Sequence, residues 1–242
     1  MKVGILNACS PAEEVEFNAR EFDNFQKLFS HVDHELTFAE YRITEGEFPQ
    51  AADECDAYLI TGSPKGVYDS DLWIAQLGDF IRASYAEGAK MVGVCFGHQI
   101  LAHALGGYTT KSEKGWGMGP ATLEIAQPQP WMTPPLPQGD FYFCHQDQVM
   151  QLPAEAQRLA GNEFCPNGMF IIGRQVLGMQ AHPEFTETTM RKAIDALGSQ
   201  VEPQRLRAIE AATAQRKTDS PVMAQWIVNF LEDANPPVPK KG

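Results

Sequence analysis

The sequence predicts an α/β fold: a doubly wound, mixed but mainly parallel sheet with helices on both faces. Two observations carry this expectation. Short apolar runs rich in β-formers alternate with stretches of helical apolar spacing through the first half of the chain. Repeated β-α-β units of this kind build parallel sheets covered on both faces, through right-handed crossovers. In the second half, strand-like runs lie closer together and are separated by proline- and glycine-containing turns, which suits antiparallel pairing.

Taken in order, residues 3–6 open as an apolar strand. Residues 14–30 place Phe17, Phe22, Phe25, Leu28 and Phe29 at helical spacing and read as a helix. Residues 34–41 alternate Leu36 and Phe38 with polar neighbours and read as a strand. Residues 57–60 form a short apolar strand stopped by Gly62-Ser63-Pro64. A helix over 71–87 follows through Leu72, Ile74, Leu77, Ile81 and Tyr85, then a strand over 91–94 and a helix over 98–105. Residues 117–126, 140–144, 169–173 and 176–181 are strand-like, and residues 186–197, 203–215 and 221–233 carry helical patterns. With no internal repeat and no clean linker, residues 1–235 are expected to form one domain, followed by a disordered tail at 236–242.

Composition narrows the function. The chain has 242 residues, with 19 Lys+Arg against 31 Asp+Glu and a net charge of −12. That balance argues against a nucleic-acid partner or an anionic membrane surface, both of which need clustered cations. No run approaches the length of a transmembrane helix, and the apolar start is too short for a signal peptide, so a cytoplasmic chain is expected. The five cysteines, Cys9, Cys55, Cys95, Cys144 and Cys165, are odd in number and form no CxxC pair, which speaks against disulfides or a zinc ribbon. There is no GxxxxGK[ST] loop, no HExxH pair and no GxGxxG after the first strand, so neither a metal nor a cofactor is expected.

Cys95 stands apart from the other four. It directly follows the strand at 91–94 and precedes a helix, within Gly93-Val94-Cys95-Phe96-Gly97-His98-Gln99. G-x-C-x-G between strand and helix is the cysteine form of the nucleophile elbow. The tight turn strains the nucleophile's backbone and leaves no room for side chains two positions either side, hence Gly93 and Gly97. It projects the sulfur at the carboxyl edge of the sheet, where ligands bind in open α/β folds. The helix beginning near Phe96 aims its positive end at the sulfur and favours an anionic nucleophile.

A cysteine nucleophile needs a base and a group that orients the base. His182 ends the apolar run 176–181 and is followed by Pro183, which holds it extended. Positions 182 and 184 of an extended chain project to one side, so Glu184 is placed to fix the imidazole tautomer. His98, at a helix start with no carboxylate partner in sequence, reads as a packing or capping group.

These two segments, the elbow with its trailing His98-Gln99 and the His182-Pro183-Glu184 run, resemble the signatures of class I, triad-type glutamine amidotransferases. The similarity extends from the first strand through the helix after Glu184, and is greatest to stand-alone members related to the amidotransferase domain of GMP synthetase. The resemblance implies a flavodoxin-like layer and a Cys95-His182-Glu184 triad that forms a γ-glutamyl thioester and releases ammonia. It also implies an oxyanion hole from the Phe96 amide and the loop Gly62-Ser63-Pro64, where the family has Gly-Gly-Pro; whether Gly62 or Ser63 donates is left open. Gln99 corresponds to a substrate-holding glutamine. Cys144-His145-Gln146-Asp147-Gln148-Val149 is similar to the family's Ser-His-x-Asp-x-Val stretch, with Cys144 in place of serine, so His145 and Asp147 are candidates for substrate contact.

The expected function is hydrolysis of the glutamine γ-carboxamide. Alternatives are a γ-glutamyl peptide hydrolase acting on glutathione-like conjugates, and a non-catalytic or partner-activated subunit of a separate synthetase that receives ammonia.

Overall fold

A computed structural model describes residues 1–17 and 20–233; the tail expected at 236–242 lies outside them. The elements, in chain order, are β1 (Lys2–Asn7), α1 (Pro11–Glu16), α2 (Glu21–Phe29), β2 (Thr37–Arg42), β3 (Ala57–Ile60), α3 (Leu72–Ala86), β4 (Lys90–Val94), α4 (Phe96–Ala104), β5 (Tyr108–Lys111) and β6 (Gly117–Ile125). There follow β7 (Gln138–His145), β8 (Asp147–Gln151), β9 (Ala156–Gly161), β10 (Met169–Ile172), β11 (Val176–Met179), α5 (Glu187–Leu197), α6 (Pro203–Gln215) and α7 (Ser220–Glu232).

Nine strands form one sheet in the order β2-β1-β3-β4-β11-β10-β9-β6-β7. The first five are mutually parallel. The remaining four continue the sheet in antiparallel pairs. The mixed, mainly parallel sheet expected from the sequence is therefore the fold, with its parallel strands contiguous. β3, β4 and β11 are buried along their whole length, as unbroken apolar runs in a doubly covered sheet should be.

Successive side chains of a strand leave on opposite faces, and β1 uses this to join two cores. Val3 and Ile5 pack with Phe25, Phe29, Trp226 and Phe230 of α2 and α7. Leu6 packs on the other face with Trp73, Leu77, Ile81 and Ile100 of α3 and α4. Burying each such side chain stabilises the fold by about 1.5–3 kcal/mol. Trp226 is fully buried, and its indole N–H donates to the Pro134 carbonyl at 2.9 Å, so no polar atom is stranded there. A third cluster joins α5 and α6 to the antiparallel half through Met190, Ile194 and Ile209 against Met118 and Tyr142.

Three differences from the sequence reading have physical causes. The stretch 14–30 is two helices, not one. Ser10 and Glu13 form a reciprocal capping box that starts α1 at Pro11. The Glu14 carboxylate then accepts from the backbone N–H of Glu21, which fastens the start of α2 to α1. The strand expected at 34–41 begins only at Thr37 and runs to Arg42, in register with β1. β5, β8 and β9 carry no clean alternation; β5 and β8 pair only with each other, as a separate two-stranded sheet. That small sheet matters because β8 begins at Asp147.

Candidate active site

β1, β3, β4 and β11 run parallel, so their carboxyl ends open on one edge of the sheet. At that edge β4 passes into α4 through Cys95, which has φ 52° and ψ −103°. Among the described residues it is the one non-glycine with positive φ. Such a conformation costs of order 1–3 kcal/mol and persists only where its surroundings enforce it. Here they do: the Cys95 N–H donates to the Met179 carbonyl at 2.9 Å, Gln99 N–H to the Cys95 carbonyl at 3.0 Å, and Gly97 N–H to the Thr61 carbonyl at 3.1 Å. A Cβ on Gly93 would overlap the Gly97 carbonyl, and one on Gly97 would overlap the Ile60 carbonyl. Phe96 is the first residue of α4, so its N–H has no acceptor within the helix.

His182 lies three residues beyond the end of β11 and is held extended by an isolated bridge to Tyr142, donating its N–H to the Tyr142 carbonyl at 2.8 Å. Its Nδ1 meets Glu184 Oε1 at 2.6 Å, and both side chains are buried. Burial opposes charge on this imidazole. The Glu184 carboxylate and Cys95 outweigh it and hold the His182 pKa well above the usual histidine range. Phe185 stacks on the ring at 4.1 Å between centroids and limits its rotation.

Gly62 brings the β3 loop against this pair: a Cβ there would stand 3.0 Å from His182 Cε1 and 3.8 Å from Cys95 Cβ. Its carbonyl is held by Thr61 Oγ1 at 2.9 Å. Ser63 uses its hydroxyl to accept from the Lys65 N–H at 3.2 Å. Cys95, His182, Gly62, Ser63, Gln99, His145 and Asp147 all line one cleft of ≈ 430 Å³, within the usual range for small-molecule sites.

The three residues expected to hold substrate are brought together by hydrogen bonds among themselves. Gln99 Nε2 donates to the Asp147 carbonyl at 2.9 Å and to Gln180 Oε1 at 3.0 Å, which uses both amide protons and leaves Oε1 for a ligand. His145 Nδ1 lies 2.9 Å from the same Asp147 carbonyl. The Asp147 carboxylate instead accepts from the Tyr68 hydroxyl at 3.1 Å. Burial pushes the His145 pKa down to about 4, so this ring is neutral at pH 7. His98 is fully buried against Phe170, lies outside the cleft lining, and is pushed down to about 3 by burial, as a packing residue would be.

The model of the Glutamine amidotransferase class-I family matches residues 21–197. The chain belongs to that family. It is 27% identical to gamma-glutamyl peptidase 4 of Arabidopsis thaliana over 90% of this chain and 91% of that one. It is 32% identical to the glutamine-hydrolyzing GMP synthase of Aquifex aeolicus, over 55% of this chain but 25% of that enzyme. Its fold is similar to that of a glutamine amidotransferase from Thermotoga maritima, with a TM-score of 0.75 at 18% identity over 95% of this chain and 98% of that one.

Within the family frame, the cleft holds residues that sequence reasoning did not single out: Cys9, Glu21, Tyr68 and Phe185. Cys9 follows β1 and sits at the same carboxyl edge as Cys95, so the sheet-edge rule was a signal for it. Its Sγ donates to the Gly62 carbonyl at 3.6 Å. Glu21 reaches the cleft only because α2 restarts where it does, and no local pattern announces that. All five cysteines are free thiols. Among the described residues no group of three His, Cys, Asp or Glu side chains is placed to hold a metal ion, and no helix is long and apolar enough to cross a membrane.

Proposed function

We propose that this chain hydrolyses γ-glutamyl amide bonds through a thioester on Cys95, with His182 as general acid and base and Glu184 as the carboxylate that orients it. The observation that carries this reading is the strained Cys95 sharing one cleft with His182, whose ring is held from behind by the buried Glu184.

The Cys95 thiol gives its proton to His182 as the sulfur attacks the γ-carbonyl carbon. The oxyanion that develops accepts from the Phe96 N–H and from the Gly62-Ser63 backbone, which lie at the same edge. His182 carries that proton to the leaving nitrogen, and the Glu184 carboxylate, which raises the His182 pKa, supports the charged ring meanwhile. The C–N bond breaks, the amine departs with the proton, and a γ-glutamyl thioester remains. His182, now neutral, takes a proton from water as the water attacks the thioester, then returns it to the sulfur as the C–S bond breaks, glutamate leaves and the thiol is restored. Glu184 supports the imidazolium in both halves. Gln99 Oε1, His145 and the Asp147 carboxylate hold the amino-acid end of the substrate, the carboxylate suiting its ammonium group.

Glutamine is the smallest substrate this chemistry takes, and its ammonia then passes to a separate synthetase or to solution. A γ-glutamyl peptide is the reading favoured by a relative that matches along most of its length, gamma-glutamyl peptidase 4. In this reading the partner is a small-molecule substrate, and the proposed compartment is the cytoplasm.

The test is intact-protein mass spectrometry after incubation with glutamine and with γ-glutamyl dipeptides, alongside assay of released ammonia or amine. A γ-glutamyl adduct on wild-type protein is expected, with turnover at least about a thousandfold lower in Cys95→Ala. Equal background turnover by both proteins on every substrate overturns the reading.

A further inference from the structure

Two buried carboxyl oxygens near the active site have no hydrogen-bond partner: Glu184 Oε2, on the carboxylate paired with His182, and Glu21 Oε2, on a residue lining the cleft. Buried polar atoms are nearly always paired, because an unpaired one forfeits its hydration without return. Glu184 spends Oε1 on His182 and has nothing on its other oxygen. Glu21, at the start of α2, is 9% exposed, lines the cleft, and among the described residues receives only a 3.5 Å contact from Asn24 Nδ2 on Oε1. No cation pairs with it among the described residues: the guanidinium of neighbouring Arg20 is taken by Glu14, Asp23 and Glu40.

The groups that face Glu21 come from three elements besides its own. Glu184 and His182 approach from the segment after β11, Glu14 from α1, and Cys9 from the turn after β1. Two of these are carboxylates within electrostatic reach and one is an imidazole. An ionised Glu21 would be a third carboxylate charge here, and among these groups only His182 offsets it. A carboxylic acid there has one O–H to give, and Glu184, with which Glu21 interacts electrostatically, has a buried Oε2 that lacks a donor.

We propose that Glu21 is a positioning residue that acts through Glu184: it keeps a proton at neutral pH and donates it toward Glu184 Oε2, fixing the carboxylate that orients His182. The inference rests on the triad reading above. Burial and the Glu184 charge push the Glu21 pKa up to about 8, in accord with a carboxyl that stays protonated at pH 7. Above that pH the donor is lost and a new charge faces Glu184. The site thus carries an alkaline limit set by a residue outside the groups proposed for bond breaking and substrate holding.

The experiment is the pH dependence of kcat on the best γ-glutamyl substrate, for wild type, Glu21→Gln and Glu21→Leu. Wild type is expected to lose kcat with an apparent pKa near 8. Glu21→Gln keeps an N–H donor at every pH, so it retains kcat at pH 7 within about threefold and loses that limb. Glu21→Leu removes the donor and lowers kcat roughly tenfold with KM little changed. A role in folding alone predicts that Gln and Leu variants fall together with an unmoved limb, and that result overturns the proposal. Infrared difference spectra supply a readout independent of turnover and of the Leu variant's folding. A protonated-carboxyl band present at pH 7, titrating near pH 8 and missing from Glu21→Gln supports the shared proton; its absence from wild type at pH 7 refutes it. If wild type turns nothing over, the proposed function fails, and the infrared band still decides whether Glu21 holds the proton.

Discussion

The parallel and antiparallel halves of the sheet serve the cleft differently. The groups proposed for bond breaking follow parallel strands: Gly62 and Ser63 after β3, Cys95 and Phe96 after β4, His182 and Glu184 after β11. The groups proposed to hold the substrate's far end, His145 and Asp147, come from the β7–β8 corner beyond the parallel strands. Gln99 spans the two, standing on α4 and donating to the Asp147 backbone. The contrast teaches that chemistry is placed here by backbone sterics within a few residues, whereas substrate holding is placed by hydrogen bonds between distant segments. The two should fail differently when disturbed.

The parallel half should fail by losing its fold at the site. Gly97→Ala forces a Cβ into the Ile60 carbonyl, which belongs to backbone and cannot step aside. We expect a loss of about 3 kcal/mol or more in urea unfolding, together with loss of turnover. A variant that unfolds at the wild-type midpoint would show that the elbow is not sterically locked.

The same contrast explains what could be read from the sequence. Gly93, Cys95 and Gly97 were legible because a strained turn restricts residue types at fixed spacing. His182 and Glu184 were legible because Pro183 fixes the local chain direction. β3, β4 and β11 announced themselves as unbroken apolar runs. β5 and β8 did not, since Tyr108–Lys111 and Asp147–Gln151 are largely polar and are strands only because they find each other across 36 or more positions. Glu21 was hidden for a related reason. Its position depends on the break between α1 and α2, and that break is secured by the Glu14 carboxylate rather than by a helix-stopping residue. The resemblance to class I amidotransferases was carried wholly by the local signals.

The β7–β8 corner should fail by losing substrate affinity while the fold and the chemistry survive. Asp147→Asn keeps the backbone carbonyl that Gln99 and His145 use and the acceptor for Tyr68, but removes the charge. KM for a γ-glutamyl substrate is expected to rise about tenfold, which is 1.4 kcal/mol, with kcat within about twofold. A fall in kcat at unchanged KM would place Asp147 with the reacting groups and erase the division of labour between the halves.

The smallest effect concerns acid, and it belongs to the antiparallel half. Asp140 on β7 accepts from Arg216, just past α6, and from Thr122 Oγ1 on β6 at 2.6 Å. Burial alone would raise this carboxyl, but Arg216 and Thr122 outweigh it and hold its pKa below the ordinary aspartate value. A carboxyl depressed in the folded state stabilises the fold fully above its unfolded pKa, and that contribution disappears as pH falls through the folded value. Both side chains are partly open to water, at 38% and 27% exposure, so the contribution is below about 1 kcal/mol. Urea midpoints at pH 7 and pH 3 should therefore separate more in wild type than in Asp140→Asn. Hydrogen exchange at pH 3 should open β6 and β7 before β1, β3 and β4. Uniform opening of all five strands would mean that the two halves, though they serve the cleft differently, resist acid as one unit.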